Sequence, residues 1–138
     1  FKVVLDGEGS GLEKITKIGF AHRKFAEEEP DSYKTIAFYE MAQLETNVEG
    51  QLVVEKCHQE GRGVLELVAA ALQQGIEDGT VRKDIEPMKM AFMLQGLSNG
   101  IIQLIARESK HMKKFELFDA EELVQGFIQI VKRGLAPD

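Results

Sequence analysis

The stretch from Pro87 to Arg107, PMKMAFMLQGLSNGIIQLIAR, constrains the fold more than any other part of the chain. Between its two ends only Lys89 is charged, and no proline interrupts it. Pro87 suits the first turn of a helix, where its missing N–H costs nothing. Met90, Met93, Leu94, Leu97, Ile101, Leu104 and Ile105 recur at helical spacing, and Met88, Ala91, Phe92 and Ile102 extend the apolar surface past a single face. A helix apolar on more than one face must be covered on more than one side. Gly96 and Gly100 stand four residues apart, on one side, where they let a neighbouring backbone come close. The expectation is a central helix covered partly by its own chain and partly by a partner chain. The same pattern also fits the core helix of a monomer.

The rest of the chain reads as helices arranged around this one. Residues 1–5 begin with an apolar run that fits a helix tail or a short strand, and Gly7, Gly9, Ser10 and Gly11 form a breaker cluster. Leu12, Ile15, Ile18, Gly19, His22, Phe25 and Ala26 predict a helix over about 12–28, with the histidine inside its apolar stripe. Glu29-Pro30 ends that helix and starts another, expected over 31–48 on the stripe Tyr33, Ile36, Ala37, Met41, Leu44 and Val48. A long pattern over 51–77 follows, with Gly61 and Gly63 inside it as an expected bend, break or place of tight packing. Gly79 suits a left-handed cap. Asp119, Glu122 and the pair Phe118 and Leu123 predict a capped helix over 120–133, which is again apolar beyond one narrow stripe. The fold class is therefore all-α, a bundle of about five helices. Its last two helices, meeting the same two of a second copy, would form a four-helix interface with closed two-fold symmetry.

Composition bounds the function. A chain of 138 residues, 43% of them apolar, is expected to form one domain with one core. Its net charge of −6, without a basic cluster, argues against direct contact with nucleic acid. The lone Cys57 excludes an internal disulfide and permits a reducing compartment. The apolar runs fall short of the ~20 residues a membrane span needs. With no signal peptide visible, a cytoplasmic protein with no membrane association is expected. Phe1 leads directly into structured-looking sequence without an initiating Met, so further sequence is expected upstream.

Chemical motifs are sparse. Cys57 and His58 are neighbours on a helix and point about 100° apart, so they do not form a nucleophile–base pair. Glu55-x-x-His58 and Glu108-x-x-His111, with Glu13 or Glu27 and with Glu40, resemble in spacing the ligand set of a ferritin-like di-iron bundle. Placement argues against that reading, because His58 lies off the Cys57 stripe and His111 sits in the polar run RESKHMKK. No catalytic residue, metal site or cofactor is expected, and the chain is read as a non-enzyme.

Three stretches carry a family resemblance. They are Ser10 to Phe25 followed by Glu29-Pro30, the passage LQQGIEDGTVRKD from Leu72 to Asp84, and Pro87 with the small-residue helix through Gly96 and Gly100. In order and spacing they resemble the C-terminal regulatory domain of TetR-type transcriptional repressors. The resemblance implies a helix-turn-helix DNA-binding domain upstream of Phe1, a homodimer formed by the last two long helices, and a small-molecule cavity enclosed by the first three. Effector binding there would alter operator affinity. His22 departs from the family, in which relatives often carry an aromatic residue, commonly tyrosine.

The family has no fixed pocket signature, so candidate site residues rest on pattern alone. Ligand-binding candidates are Phe20, His22, Phe38, Tyr39, Ala42, Cys57, Gly61, Leu65 and Met93, facing a small apolar or amphipathic effector. Dimer-interface candidates are Phe92, Gly96, Gly100, Gln103, Leu123, Phe127, Ile130 and Val131. For His22 the plainer reading is a core or boundary histidine whose ring nitrogens are satisfied locally. Besides the di-iron bundle, the alternative is a non-regulatory helical dimer that only scaffolds partners.

Overall fold

The computed structural model describes residues 2–34, 48–114 and 118–138, and over them the chain is an all-α helical bundle. The helices are α1 (Lys2–Asp6), α2 (Gly11–Glu28), α3 (Val48–Asp78), α4 (Pro87–Lys114) and α5 (Ala120–Leu135). Residues 30–34 are also helical. No strand occurs among the described residues, so the opening apolar run is a helix. The remainder of the helix expected over 31–48 lies outside the described residues.

Local signals explain most helix ends. Ser10 caps α2 with a reciprocal capping box: its hydroxyl accepts from Glu13 N at 3.2 Å, and Glu13 Oε2 accepts from Ser10 N at 2.8 Å. Asp119 accepts from Glu122 N at 2.8 Å and caps α5, as its sequence predicts. Glu86 takes the same role for α4, its carboxylate accepting from Met88 N and Lys89 N just after Pro87. Gly79 ends α3 with φ +81°, the left-handed conformation expected of it. Of the bend, break or tight packing expected at Gly61 and Gly63, the break does not occur, because α3 is helical through both. Two helical glycines cost about 1 kcal/mol each against alanine.

The core joins α2, α3, α4, the α3–α4 connection and the end of α5 around Ile15, Ile18, Leu65, Ala71, Leu72, Val81, Ala91 and Leu135. The start of α2 crosses the end of α3 with backbone close to backbone. A methyl group on Gly11 would overlap the Gly75 backbone, and one on Gly75 would overlap the side chain of Val81. This crossing is also stitched by hydrogen bonds. Asp78 Oδ2 accepts from Gly11 N at 2.8 Å, and Thr80 Oγ1 accepts from Leu12 N at 3.3 Å. Two of the four orphan N–H groups at the start of α2 are thereby satisfied from the far end of α3. Lys14 is buried beside them and donates to Leu5 O at 2.8 Å and Gln74 Oε1 at 2.9 Å, which ties α1 to α2 and α3. A further bond, Arg82 N to Leu135 O at 2.7 Å, fastens the α3–α4 connection to the end of α5.

Candidate functional site

The four long helices do not close on one another along their whole length. Away from the Gly11–Gly75 crossing they leave an apolar chamber of about 280 Å³. Each wall is one helical face. From α2 come Ile15, Thr16, Gly19, His22 and Phe25; from α3, Gly61, Val64, Leu65 and Val68. The α4 wall is Ala91, Leu94, Gln95 and Ser98, and the α5 wall is Phe127, Ile128 and Val131. These sets follow the i, i+3, i+4, i+7 rule for residues sharing a helix face. Space remains because small residues stand in three of the walls: Gly19, Gly61, and Ala91 with Ser98. At Gly19 a methyl group would already come within 3.2 Å of Ile128 Cδ1.

Most of the lining is apolar, and its polar groups sit on α2 and α4. His22 Nδ1 and Ser98 Oγ share a hydrogen bond of 2.8 Å. Burial lowers the His22 pKa below its ordinary value, so the ring is held neutral. The Tyr33 ring packs against it at 5.8 Å and against Phe25 at 6.5 Å, edge to face. Tyr33 Oη donates to Asn99 Oδ1 at 3.1 Å, so adjacent residues of α4 are held from α2 and from residue 33. Thr16 Oγ1 returns to its own helix, donating to Leu12 O at 3.0 Å. Outside the chamber, Arg23 pairs with Glu121 and, at 3.0 Å, with Glu27, joining α2 to the start of α5. The hydrogen bond to Glu121 holds the guanidinium above its ordinary pKa, and the same bond holds the Glu121 carboxyl below its own.

Of the ligand-binding candidates, the chamber brings together His22, Gly61 and Leu65. Phe20 lies elsewhere, half-buried in a surface groove beside Ser10, Lys17 and Lys132. Met93 faces away from the chamber and is 52% exposed. Both departures follow from helix phase: each residue falls about 100° or more from the wall its helix presents. Phe38, Tyr39 and Ala42 lie outside the described residues, as does the side chain of Cys57. Sequence reasoning missed Thr16, Phe25, Val64, Val68, Leu94, Gln95 and Ser98 as lining residues. A usable signal existed, because they follow from His22 and Leu65 by stepping three or four residues along each helix and taking the facing stripe of α4.

The dimer-interface candidates divide in two. Phe92 is 61% exposed and Ile130 is 72% exposed, and Gly96, Gly100 and Gln103 are exposed beside them. Leu97, 53% exposed, continues that face. Beyond the adjoining backbone of its own helix, no described atom lies within 4 Å of where a methyl group on Gly96, Gly100 or Gly126 would be. Leu123 is half-buried. Phe127 and Val131, by contrast, line the chamber together with Ile128, and Ile130 stands beside that wall at its exposed edge.

Of the residues of the di-iron spacing, Glu13 belongs to the cap of α2 and Glu27 pairs with Arg23. His111 Nδ1 and Glu108 Oε2 pair with each other at 2.9 Å on the open end of α4, and this bond lowers the Glu108 pKa. The side chains of Glu55 and His58, and the whole of Glu40, lie outside the described residues. Among the described residues, no three His, Cys, Asp or Glu side chains gather where a metal ion would sit. No described helix is long and apolar enough to cross a membrane. Comparison of the chain with protein-family models, curated proteins and solved structures finds no match.

Proposed function

We propose that this chain is the effector-binding and dimerisation domain of a cytoplasmic transcriptional regulator of the TetR type. It binds a small molecule without transforming it, and it reaches operator DNA only through a helix-turn-helix domain upstream. One observation carries the reading: α4 and α5 line a half-open apolar chamber with one face and expose an apolar, glycine-bearing surface with the other. Soluble monomers rarely leave large apolar patches uncovered. Two copies related by a two-fold axis would cover this one with itself.

The reading gains support from the first two stretches that resemble the family. Although far apart in sequence, they meet in the fold, with Gly11 against Gly75 and the Asp78 carboxylate on the first N–H of α2. A reason for their spacing is therefore physical. Regulation would follow from the shared helices. A ligand that fits the chamber differently in two arrangements of α4 and α5 shifts the balance between them. The coupling to DNA binding would be typically about 1–3 kcal/mol, and reciprocal.

Native mass spectrometry tests both halves together. The expected result is a dimer, with a small-molecule mass retained on it or taken up on ligand addition. A monomer at micromolar concentration would remove the dimer half. The exposed face by itself also fits a dimeric scaffold with no effector. That reading wins if the chain is dimeric and filling the chamber by Val131→Phe changes neither ligand uptake nor the operator affinity of the protein carrying its DNA-binding domain.

A further inference from the structure

The chamber's chemistry narrows the effector class, an inference that rests on the chamber being a ligand site. No Asp, Glu, Lys or Arg is found among the described residues that line it. An ion entering would lose its hydration and gain no opposite charge, which is strongly unfavourable. Three of the four polar lining residues already have partners in the fold: Thr16 with Leu12 O, and His22 with Ser98. Gln95 is the fourth. It is half-buried and sits between Ala91 and Ser98 on the chamber face of α4, and its side-chain amide makes no hydrogen bond to any described residue. Its amide offers both a donor and an acceptor. A molecule that fills the chamber strips water from that amide, and leaving it unpaired carries a penalty.

Size sets the other bound. An apolar cavity of about 150 Å³ accommodates benzene, and this chamber measures about 280 Å³. We infer that the chamber takes an uncharged, mainly apolar molecule of about two fused rings or equivalent bulk, bearing one hydroxyl or carbonyl group, and that Gln95 recognises that group. Recognition needs a neutral partner because the amide cannot neutralise a charge, and few polar groups because the rest of the described wall is mostly apolar.

The test is a titration of the full chain with three probes of one shape: 1-naphthol, naphthalene and 1-naphthoate. Each is measured on the native chain, on Gln95→Leu and on Val131→Phe, with circular dichroism to verify that the variants are folded. The native chain should bind 1-naphthol about fivefold more tightly than naphthalene, the worth of one net hydrogen bond. It should bind 1-naphthoate at least about tenfold more weakly than 1-naphthol. In Gln95→Leu the advantage of 1-naphthol over naphthalene should vanish while naphthalene binds as before. In Val131→Phe all three should weaken, because the added ring occupies the chamber.

Several outcomes would overturn the inference. Tightest binding of 1-naphthoate would contradict the uncharged class. An unchanged preference for 1-naphthol in Gln95→Leu would remove Gln95 from recognition. If Val131→Phe still weakens the probes in either case, the chamber survives as a ligand site and only its assigned chemistry fails. Failure of all three to bind the native chain would also reject this class, whereas a small molecule retained in native mass spectrometry would preserve the effector reading. Probes that bind equally well to native chain and Val131→Phe would be sitting elsewhere, and the chamber reading would fall with the inference.

Discussion

Two pairs of glycines in this protein are small for opposite reasons. Gly11 and Gly75 let the start of α2 press against the end of α3, where a single methyl group would collide with backbone or with Val81. Gly96 and Gly100 face open space, with nothing described beyond the adjoining backbone of their own helix within reach of a methyl group. The first pair is needed by the chain's own packing. The second pair keeps an apolar surface flat, beside Phe92 and Leu97, where a second backbone could approach. One end of the bundle is thus closed and stitched, and the α4–α5 side holds the empty volume and the exposed apolar face. Stability and function are allotted to different regions, as expected when binding surfaces are drawn from the less tightly packed parts of a fold.

Substitution at the glycines gives the sharpest test of this contrast. Gly11→Ala should cost about 3 kcal/mol or more, since overpacking against backbone has no easy relief. Gly96→Ala should instead leave the isolated chain unchanged or raise its stability by about 0.5–1 kcal/mol, the usual gain in a helix interior. Urea denaturation of both variants decides the matter, and similar responses would break the comparison. Next in size is the exposed face. Leu97→Asp should weaken self-association tenfold or more, equivalent to about 1.4 kcal/mol or above. Sedimentation across a dilution series would reveal this, with thermal unfolding at low concentration little changed. A variant that unfolds instead would mean Leu97 is supporting its own chain.

A third effect of similar magnitude belongs to the stitched end. Lys14→Met should cost about 1–3 kcal/mol by leaving Leu5 O and Gln74 without their donor. The loss should be visible as a lower denaturation midpoint with an unchanged slope. The smallest effects are those of pH. The Asp78 carboxyl accepts hydrogen bonds from Thr80 and from Gly11 N, which lower its pKa below 3.8. In the unfolded chain it therefore binds a proton first, so its contribution is intact above about pH 4 and lost as the pH falls through the folded value. His22 is held neutral by burial, and its folded pKa also lies below the unfolded value of 6.5. Acidification below 6.5 charges the unfolded chain first and erodes stability until the folded value is passed. Stability profiles of Asp78→Asn and His22→Gln against pH should each lose one of these slopes.

Much of the architecture was legible in residue pattern alone. Apolar recurrence at three and four residues located α2, α3, α4 and α5, and Asp119 with Glu122 marked the start of α5. The capping box at Ser10 and Glu13 was equally readable but hidden by the surrounding glycines, which draw attention as breakers. Two glycines in α3 left a break open as one reading, and the helix runs on through both, because a local penalty of about 1 kcal/mol each does not by itself end a long helix. The site was less legible. His22, Gly61 and Leu65 were reachable because each stands on an inner stripe. Phe20 and Met93 were misplaced because a stripe wider than one face does not say which part of it meets which neighbour.

The sequence by itself determined that this is a set of helices, where most of them start and stop, and that α4 and α5 carry more apolar surface than one face can hide. Those properties depend on residues close together along the chain, whose geometry is set by the helical period. Only the tertiary structure decided how the excess is divided: Phe127 and Val131 turn toward the chamber, while Ile130, Phe92 and Leu97 turn outward. The angle at which helices cross is decided by side chains distant in sequence, here by Gly11 meeting Gly75 and by Asp78 and Thr80 bonding the start of α2. Because that crossing draws one end of α2 and α3 together, the walls stand apart elsewhere around Gly19, Gly61 and Ala91, and the space between them is the site.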